Sequence, residues 1–239
     1  MIETLALYAP EAQFVEPYIK AALPGVSVCG IDDDAADMAL MISSTDIYGP
    51  EAHDMTDETA TIDTGSVWKT REDDFCRTAV AKGLRPVVLR CPDIVGTGMS
   101  GFVRHIAEGV WRGTFLHFPG NEARRSVVHA VDLGRVARAL AEGGLPVREK
   151  LVYNVTDGEN PTVHDLAEAI AYRLGNKRIS TLSTRPQQWF GRIVYGKSKY
   201  ALYTTTRTFS CEVLCDDIAF RPTPVCEYLR THVYDENSL

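Results

Sequence analysis

One stretch decides the fold class: MISSTDIYG, residues 41–49. It has the pattern of an apolar β-strand that ends in hydroxyl side chains and then turns at Tyr-Gly. In an open α/β sheet, hydroxyls at the carboxyl end of a parallel strand face the crevice where ligands bind. A Ser-Ser-Thr run is equally typical of an ordinary strand end, so this stretch alone leaves both interpretations open.

Apolar segments and helical periodicities alternate on both sides of this stretch. The pattern predicts strands over residues 5–8, 26–31, 38–42, 86–89, 126–129 and 151–155. It predicts helices over residues 12–23, 66–82, 102–111, 132–142 and 163–174, the last opened by a capping box at Thr162 and Asp165. Two short helices are expected near Cys211 and Val225. Such alternation is typical of a parallel sheet with helices on both faces.

Composition excludes several classes of protein. The chain has 239 residues, 45% of them hydrophobic and 24% charged, as in soluble globular proteins. No apolar run reaches the ~20 residues that span a bilayer, and the start, MIET, does not resemble a secretory signal. We therefore expect a soluble, cytoplasmic protein without a membrane partner. The net charge of −7 argues against nucleic acid as the main partner.

The cysteines favour the same compartment. Six are scattered along the chain without a C-x-x-C pair. Cys211 and Cys215 would share a helix face, as two ligands of a metal site could, but no histidine lies close in sequence to complete such a site. Buried thiols in a reducing compartment are the simpler interpretation, so we expect no metal.

Four motifs together resemble the extended short-chain dehydrogenase/reductases, the NAD-dependent epimerase/dehydratase family that acts on nucleotide sugars. Residues 43–49, SSTDIYG, resemble its Ser-Ser-x-x-Val-Tyr-Gly, and residues 89–98, LRCPDIVGTG, its Leu-Arg-x-x-x-Val-Tyr-Gly-Pro-Gly. Residues 125–132, RSVVHAVD, are similar to Arg-x-Phe-Val-His-Val-x-Asp, and residues 153–158, YNVTDG, to Tyr-Asn-Val-x-x-Gly. The motifs occur in the family's order, which makes a chance match improbable.

The resemblance implies a truncated Rossmann-like parallel sheet with a small C-terminal mixed α/β subdomain of the substrate-binding type. Residues 1–96 and 126–155 would form the core, and residues 97–125 and 156–239 the subdomain. Only 40 residues precede Met41, whereas the family carries two further βα units there. The strands beside the nicotinamide half of the cofactor are therefore expected to be missing.

The family's cofactor turn departs from its pattern in this chain. Ala9, Ala12 and Val15 stand where the family has glycines that let backbone N–H groups approach the pyrophosphate. Pro10 lacks an N–H donor, and Glu11 would bring a carboxylate beside a diphosphate. We therefore expect no standard NAD or NADP site. Asp32, after the second strand, matches the acidic residue that binds the ribose, although an acidic solvated turn explains it equally well.

The family's Tyr-x-x-x-Lys pair is also incomplete. Lys69 falls at the lysine position, which puts Gly65 at the tyrosine position, and no tyrosine occurs between Tyr48 and Tyr153. Ser44 keeps the hydroxyl of the family's triad. Ser44 and Lys69 are therefore the catalytic candidates, without the acid/base group whose loss typically lowers a rate by ~10²–10⁴-fold.

The substrate side keeps more of the family's pattern. Arg125 matches the arginine that pairs with the nucleotide diphosphate, a suitable role for a planar fork of donors. Arg207 and Arg124 are expected to assist. The crevice is expected to be lined by Thr45, Tyr48 and Asp93. A surface arginine at a sheet edge is the alternative for Arg125, and His129 is expected to be a packed strand residue.

Three functions follow from these patterns. The leading hypothesis is a divergent relative that binds a nucleotide sugar, or acts as partner of an intact relative, without standard hydride chemistry. The second is an active NAD(P)-dependent nucleotide-sugar epimerase, dehydratase or reductase with an atypical cofactor site. The third is a pure interaction protein. The sequence leaves open whether the protein forms a homodimer or a heterodimer with an intact relative.

Overall fold

The central layer is a parallel sheet that the sequence pattern predicts. The computed structural model describes residues 2–50, 52–148, 150–182, 193, 195–196 and 200–231. The strands are β1 (Thr4–Tyr8), β2 (Ser27–Cys29), β3 (Met38–Ser44), β4 (Pro86–Cys91), β5 (Asp93–Val95), β6 (Leu116–His117), β7 (Val127–His129), β8 (Leu151–Asn154) and β9 (Ser180–Thr181). Five of them form the main sheet in the order β2-β1-β3-β4-β8, while β5 pairs with β7 and β6 with β9.

In the described part of the chain, seven helices with both ends defined surround these strands. They are α1 (Glu16–Ala22), α2 (Val67–Ala81), α3 (Phe102–Arg112), α4 (Ala130–Gly143), α5 (Val163–Arg173), α6 (Glu212–Ile218) and α7 (Val225–Thr231). Short 3-10 turns precede α1, at Gln13–Val15, and follow β3, at Thr45–Tyr48. In the described part of the chain, no helix is long and apolar enough to cross a membrane.

Both faces of the main sheet are covered, which explains the unbroken apolar run of β3. Leu40 and Ile42 pack in one cluster with α1 and α4, whereas Ala39 and Met41 pack on the other face with Phe75 of α2. Alternate side chains of a strand point to opposite faces, so a strand covered twice needs apolar residues throughout. The predicted α/β class with helices on both faces is confirmed.

Close packing of α1 on α4 depends on a glycine. A Cβ built on Gly134 of α4 would lie 2.7 Å from the Tyr18 carbonyl oxygen of α1. Without a side chain there, the two helix backbones approach closely over the sheet. Any larger residue would push α1, and with it the turn between β1 and α1, away from the sheet.

Element boundaries differ from the predicted ones where local chemistry intervenes. The predicted helix over 12–23 divides into the 3-10 turn and α1, because Pro17 lies at the start of α1 and supplies no N–H to the preceding turn. The strands β3 and β4 run two residues further than predicted, to Ser44 and Cys91. The capping box is confirmed: Thr162 Oγ1 accepts from the Asp165 N–H at 3.0 Å, and Asp165 Oδ2 from the Thr162 N–H at 2.9 Å.

A second cluster of apolar side chains packs α3, α5 and α7 together. Most of its members come from the ranges predicted for the subdomain, but Val95 and Val127 come from those predicted for the core, and the division into two domains stays a prediction. A segment of the C-terminal tail, residues 207–209, links this cluster to the main sheet. Thr208 donates its N–H to the His53 carbonyl at 2.9 Å, while Arg207 donates its N–H to the Arg124 carbonyl at 2.9 Å. The segment at 207–209 thus lies between two loops that border the sheet.

Candidate functional site

The carboxyl ends of β3 and β4 send neighbouring side chains in different directions. Ser43 pairs with Arg90, and Ser44 with Cys91, in the parallel register. The Ser43 hydroxyl donates to Glu72 Oε1 of α2 at 2.6 Å. The Ser44 hydroxyl lies at a cavity of about 200 Å³, where its oxygen accepts from the Asp46 N–H at 3.0 Å. We call this space the arginine cavity, lined among others by Ser44, Thr45, Asp46, Asp93, Arg125 and Arg207.

Arg125 is the most enclosed charge of the arginine cavity. Only 6% of its surface is exposed. Its Nη2 donates to the Leu202 carbonyl at 2.6 Å, and its guanidinium carbon lies 4.8 Å from the centre of the Phe102 ring. Burial lowers the pKa of the Arg125 guanidinium, an effect that the nearby Asp93 opposes. In the described residues its buried Nε–H has no hydrogen-bond partner.

Arg207 reaches the same cavity from the tail. Its Nη1 lies 3.0 Å from Asp46 Oδ1, and its Nη2 donates to the carbonyl oxygens of Thr45 and Gly49 at 3.3 Å each. As with Arg125, the buried Nε–H meets no acceptor within the part of the chain that the structure describes. Arg207 therefore holds the 3-10 turn after β3, while its buried Nε–H stays without a partner in the described residues.

Asp93 supplies the enclosed carboxyl group of the cavity. Its Oδ1 accepts from the Phe102 N–H at the start of α3, at 2.7 Å. Gly101, with φ of +84°, allows this approach, since a Cβ there would lie 2.6 Å from that oxygen. Burial raises the pKa of Asp93; the Phe102 hydrogen bond and the charges of Arg125 and Arg207 act against burial, whereas Asp46 adds to it.

Lys69 does not join Ser44 at the cavity, which corrects the expected pair. Its ammonium pairs with Asp73 on the outer surface of α2. The preceding residue, Trp68, lines the cavity instead, because successive residues of a helix are rotated by about 100°. Gly65 lies exposed in the turn before α2, where its N–H donates to Asp63 Oδ1 at 2.9 Å.

Tyr48 also departs from its predicted place. Instead of lining the cavity, its hydroxyl donates to Asn154 Oδ1 at 2.8 Å and accepts from Arg90 Nη1 at 3.1 Å. Arg90 in turn donates to both carboxylate oxygens of Glu72, at 3.0 and 2.8 Å. We call this set the polar network; its members are Ser43, Tyr48, Glu72, Arg90 and Asn154.

Sequence reasoning missed the polar network, although one signal pointed to it. Arg90 interrupts the apolar strand β4, and a buried arginine requires a carboxylate nearby. Glu72 of α2 is that carboxylate, and 6% of its surface is exposed. The network raises the pKa of Arg90 despite its burial. Its members therefore fix β3, β4, β8 and α2 relative to one another.

The turn between β1 and α1 borders the other end of the cavity. Glu11 and Ala12 line it, and Glu11 Oε1 pairs with Arg71 Nη1 of α2 at 2.6 Å. Phe14 lies against the loop after β5, since a Cβ on Gly98 would be 3.1 Å from the Phe14 Cβ. Side chains thus occupy the place where a glycine turn would leave space.

Three further sequence candidates lie elsewhere. Asp32 is in an exposed turn, where its carbonyl accepts from Lys82 Nζ at 2.6 Å; its own carboxylate is away from the described cavity lining. Arg124 is exposed, and its Nη1 donates to the Asn160 carbonyl at 3.2 Å. His129 is buried, its ring centre 3.6 Å from that of Tyr228. Among the described residues, no group of His, Cys, Asp or Glu is placed to hold a metal.

Comparisons with known proteins match this geometry at the level of the fold. No family model matches the chain, and no curated protein matches it. Solved structures do. A Bordetella bronchiseptica enzyme, WbmH, in complex with NAD⁺ superposes with a TM-score of 0.67 at 12% identity, over 96% of this chain and 97% of that one. The chain therefore shares the fold of this enzyme.

Two further structures are similar. The Methanobrevibacter ruminantium UDP-N-acetylglucosamine 4-epimerase, in complex with UDP-N-acetylmuramic acid, gives a TM-score of 0.65 at 14% identity, over 96% of this chain and 97% of that one. The Thermotoga maritima UDP-glucose 4-epimerase with UDP-glucose gives 0.58 at 16% identity, over 95% of this chain and 75% of that one. The resemblance inferred from four short motifs is therefore confirmed for the epimerase fold.

Proposed function

We propose that this epimerase-fold protein binds a nucleotide sugar or a related anion in the arginine cavity and has lost standard dinucleotide binding and Tyr-Lys catalysis. One observation carries the proposal. Two largely buried guanidinium groups, those of Arg125 and Arg207, line one cavity, and each keeps a buried Nε–H without a partner among the described residues.

An anion explains these open donors. A buried polar group left without a hydrogen bond costs about 1–3 kcal/mol, more when it is charged. Phosphate oxygens satisfy guanidinium N–H groups well, because the planar fork of donors matches their geometry. The hydroxyl of Ser44, at the same cavity, accepts from the Asp46 N–H and can at the same time donate its own O–H to a ligand oxygen. The Thermotoga maritima neighbour, of the same fold, carries UDP-glucose.

The residues at the β1–α1 turn do not fit a dinucleotide pyrophosphate. A diphosphate there requires free N–H groups and space beside the backbone. Pro10 has no N–H, the Glu11 carboxylate lines the space, and Phe14 packs against the following loop. The cavity volume, about 200 Å³, is also below the ~300–1,000 Å³ of typical small-molecule pockets. It suits the phosphate-bearing part of one nucleotide, with the remainder extending outward.

The remaining groups argue against family-type hydride chemistry. Gly65 offers no side chain at the tyrosine position, and the ammonium of Lys69 is engaged by Asp73 on the helix surface. Ser44 supplies a hydroxyl, but the described lining of the cavity contains no tyrosine and no lysine to act with it. The proposed role is therefore binding of the nucleotide sugar without its oxidation, alone or as partner of an intact relative.

An active NAD(P)-dependent nucleotide-sugar epimerase, dehydratase or reductase with an atypical cofactor site is the second candidate. Its favouring observation is that Ser44 and the enclosed carboxyl of Asp93 line the same cavity. Several neighbours are complexes with NAD⁺ or NADPH. Such an enzyme would bind NAD⁺ or NADPH as tightly as a nucleotide sugar, so cofactor affinity separates the two candidates.

The test is isothermal titration of the full chain with UDP-glucose, UDP-N-acetylglucosamine, NAD⁺, NADP⁺ and NADH. We expect a UDP-sugar to bind and the dinucleotides not to bind at millimolar concentration. Arg125→Ala should weaken UDP-sugar binding tenfold or more, on the order of 1.5–3 kcal/mol for a charge-assisted hydrogen bond. Arg124→Ala is the matched control, since it removes an exposed neighbour with the same charge.

Each other outcome favours a different function. Equal affinities for wild type and Arg125→Ala would remove Arg125 from the site. Micromolar binding of NAD⁺ or NADPH would favour the active enzyme and call for turnover assays with nucleotide sugars. If no ligand binds, the protein acts through interaction alone.

A further inference from the structure

The charges of the arginine cavity balance before any ligand enters. Arg125 and Arg207 contribute two positive charges, and Asp46 and Asp93 two negative ones when both are ionised. Glu11 also lines the cavity, but Arg71 neutralises it at 2.6 Å. A diphosphate bearing two negative charges would therefore enter a cavity of zero net charge and leave it at minus two. At short range in a protein such an imbalance is costly.

The two carboxylates are not equivalent. Asp46 has 64% of its side chain exposed and forms an ion pair with Arg207 at 3.0 Å. Asp93 is enclosed and accepts one hydrogen bond from the Phe102 N–H. It forms no ion pair within the described residues, and the two arginines act on it only through space. Of the two, Asp93 is the group whose charge is easily removed.

The fold prevents Asp93 from moving away from a ligand. Its backbone lies in β5, which is paired with β7 through the Asp93–Val127 register. On the other side, Gly101 and the start of α3 enclose its Oδ1. Because one carboxyl oxygen keeps its hydrogen bond in either protonation state, the other is free to carry a proton and donate it to a ligand oxygen.

We propose that anion binding in the arginine cavity is coupled to protonation of Asp93, so that the protein takes up a proton as the ligand enters. This rests on the proposed function. The proton restores one unit of positive charge to the cavity and turns a repelling carboxylate into a hydrogen-bond donor. Among the described residues, the charged groups that act on Asp93 are Arg125, Arg207 and Asp46, and the start of α3 contributes the Phe102 backbone N–H.

The direction of the pH dependence follows. A ligand that binds more tightly to the protonated protein gains affinity as the pH falls, by at most tenfold per pH unit for one proton. Burial already raises the pKa of Asp93, which brings its titration closer to neutral pH. The affinity should therefore increase between pH 8 and pH 5 and become constant once Asp93 is protonated without ligand.

The experiment is calorimetric titration with UDP-glucose, whose diphosphate stays doubly charged from pH 5 to pH 8, and with inorganic sulfate, which also keeps a constant charge. Titrations in two buffers of different ionisation enthalpy give the number of protons taken up. We expect an uptake of up to one proton in wild type, and none in Asp93→Asn, which keeps an oxygen for the Phe102 N–H. Asp157→Asn, which changes a buried carboxyl away from the cavity lining, should keep the uptake.

The outcomes separate the two proposals. Binding without proton uptake and without pH dependence would overturn the coupling while leaving the proposed function in place, and so would uptake that persists in Asp93→Asn. If neither UDP-glucose nor sulfate binds, both proposals fail. Should Asp93→Asn not fold, the carboxyl ¹³C resonance of Asp93 in wild type, followed with and without UDP-glucose, gives the same answer: a shift of its titration to higher pH supports the coupling.

Discussion

The polar network and the arginine cavity lie at the same edge of the same sheet, yet their buried arginines differ in how completely they are hydrogen-bonded. In the network, Arg90 donates to Glu72 and to Tyr48, and Tyr48 donates to Asn154. In the cavity, Arg125 and Arg207 each keep an open Nε–H among the described residues. On β3, the Ser43 hydroxyl donates to Glu72 of the network, whereas the next residue, Ser44, lies at the cavity.

The comparison shows which polar groups serve the fold and which await a ligand. A buried charge whose donors and acceptors meet one another fixes the elements that carry it. A buried charge with an open donor destabilises the free protein until something binds. Changes to the first set should therefore alter stability, and changes to the second should alter affinity.

Removing a partner of the buried ion pair is expected to have the largest effect. Glu72→Ala leaves Arg90, 4% exposed, without its carboxylate, and breaking a buried pair in this way costs about 3–5 kcal/mol. Urea denaturation followed by circular dichroism measures it. The control is Asp73→Ala on the exposed side of α2; equal losses in the two variants would mean that the network does not hold the fold.

Asp157 extends the comparison to a buried carboxyl group whose hydrogen bonds come from backbone N–H groups and not from a cation. Burial raises its pKa to about 6, from the ordinary 3.8. Because the folded state holds the proton more tightly, the stability from this group is complete below pH 4 and is lost as the pH rises through 6, about 3 kcal/mol in all. Asp157→Asn should gain that much relative to wild type between pH 4 and pH 7.

Denaturation at a series of pH values tests this expectation. Glu3→Gln, which changes an exposed carboxyl group that does not act on Asp157, is the control and should follow the wild-type curve. A constant difference between Asp157→Asn and wild type over this range would show that hydrogen bonds to N–H groups compensate for burial as fully as the arginine of the polar network does.

Arg207 contributes both to the stability of the fold and to the arginine cavity. It holds Asp46 and two carbonyl groups of the turn after β3, it lines the cavity, and its buried Nε–H has no partner in the described residues. Arg207→Leu should therefore lower the free energy of unfolding by about 1.5 kcal/mol and also weaken UDP-glucose binding. Thermal denaturation and calorimetry measure the two effects. A loss of affinity at unchanged stability would place Arg207 with the ligand alone.

The smallest effect is expected at Lys69, the sequence candidate that the structure places on the helix surface. Its pair with Asp73 is exposed and four residues apart, an arrangement typically worth about 0.3–0.5 kcal/mol. Lys69→Ala should change stability by no more than that and leave UDP-glucose affinity unchanged. A several-fold loss of affinity would restore Lys69 to the site.

The fold could be predicted from the sequence because its signals are local. Apolar runs, helical periodicity, Pro17 and the capping box at Thr162 each act within a few residues, and the strands and helices lie close to the predicted ranges. The predicted helix over 12–23 is divided next to Pro17, and β3 and β4 run two residues further than predicted. The short strands β5, β6 and β9 were not predicted. Ser44 and Arg125 of the cavity came from the family motifs, whereas Arg207 was expected only to assist from the tail.

The polar network could not be predicted, since its partners are distant in sequence. Tyr48 and Asn154 are 106 residues apart, and Ser43 and Glu72 are 29 apart. Whether Tyr48 faces the cavity or the network depends on which of these distant groups offers the better partner. Lys69 was misplaced for a related reason: a one-residue shift along a helix turns the side chain by about 100° and exchanges it for Trp68.

The tail segment gives the site a place in the order of synthesis. All five strands of the main sheet are complete once residue 154 has been made, but Arg207 follows more than 50 residues later. Since domains fold as their chain emerges, the sheet and the polar network can form on the ribosome while the cavity still lacks one of its arginines. The nascent chain can thus fold before its binding site is complete. A ligand that needs the complete site cannot assist the early steps of folding.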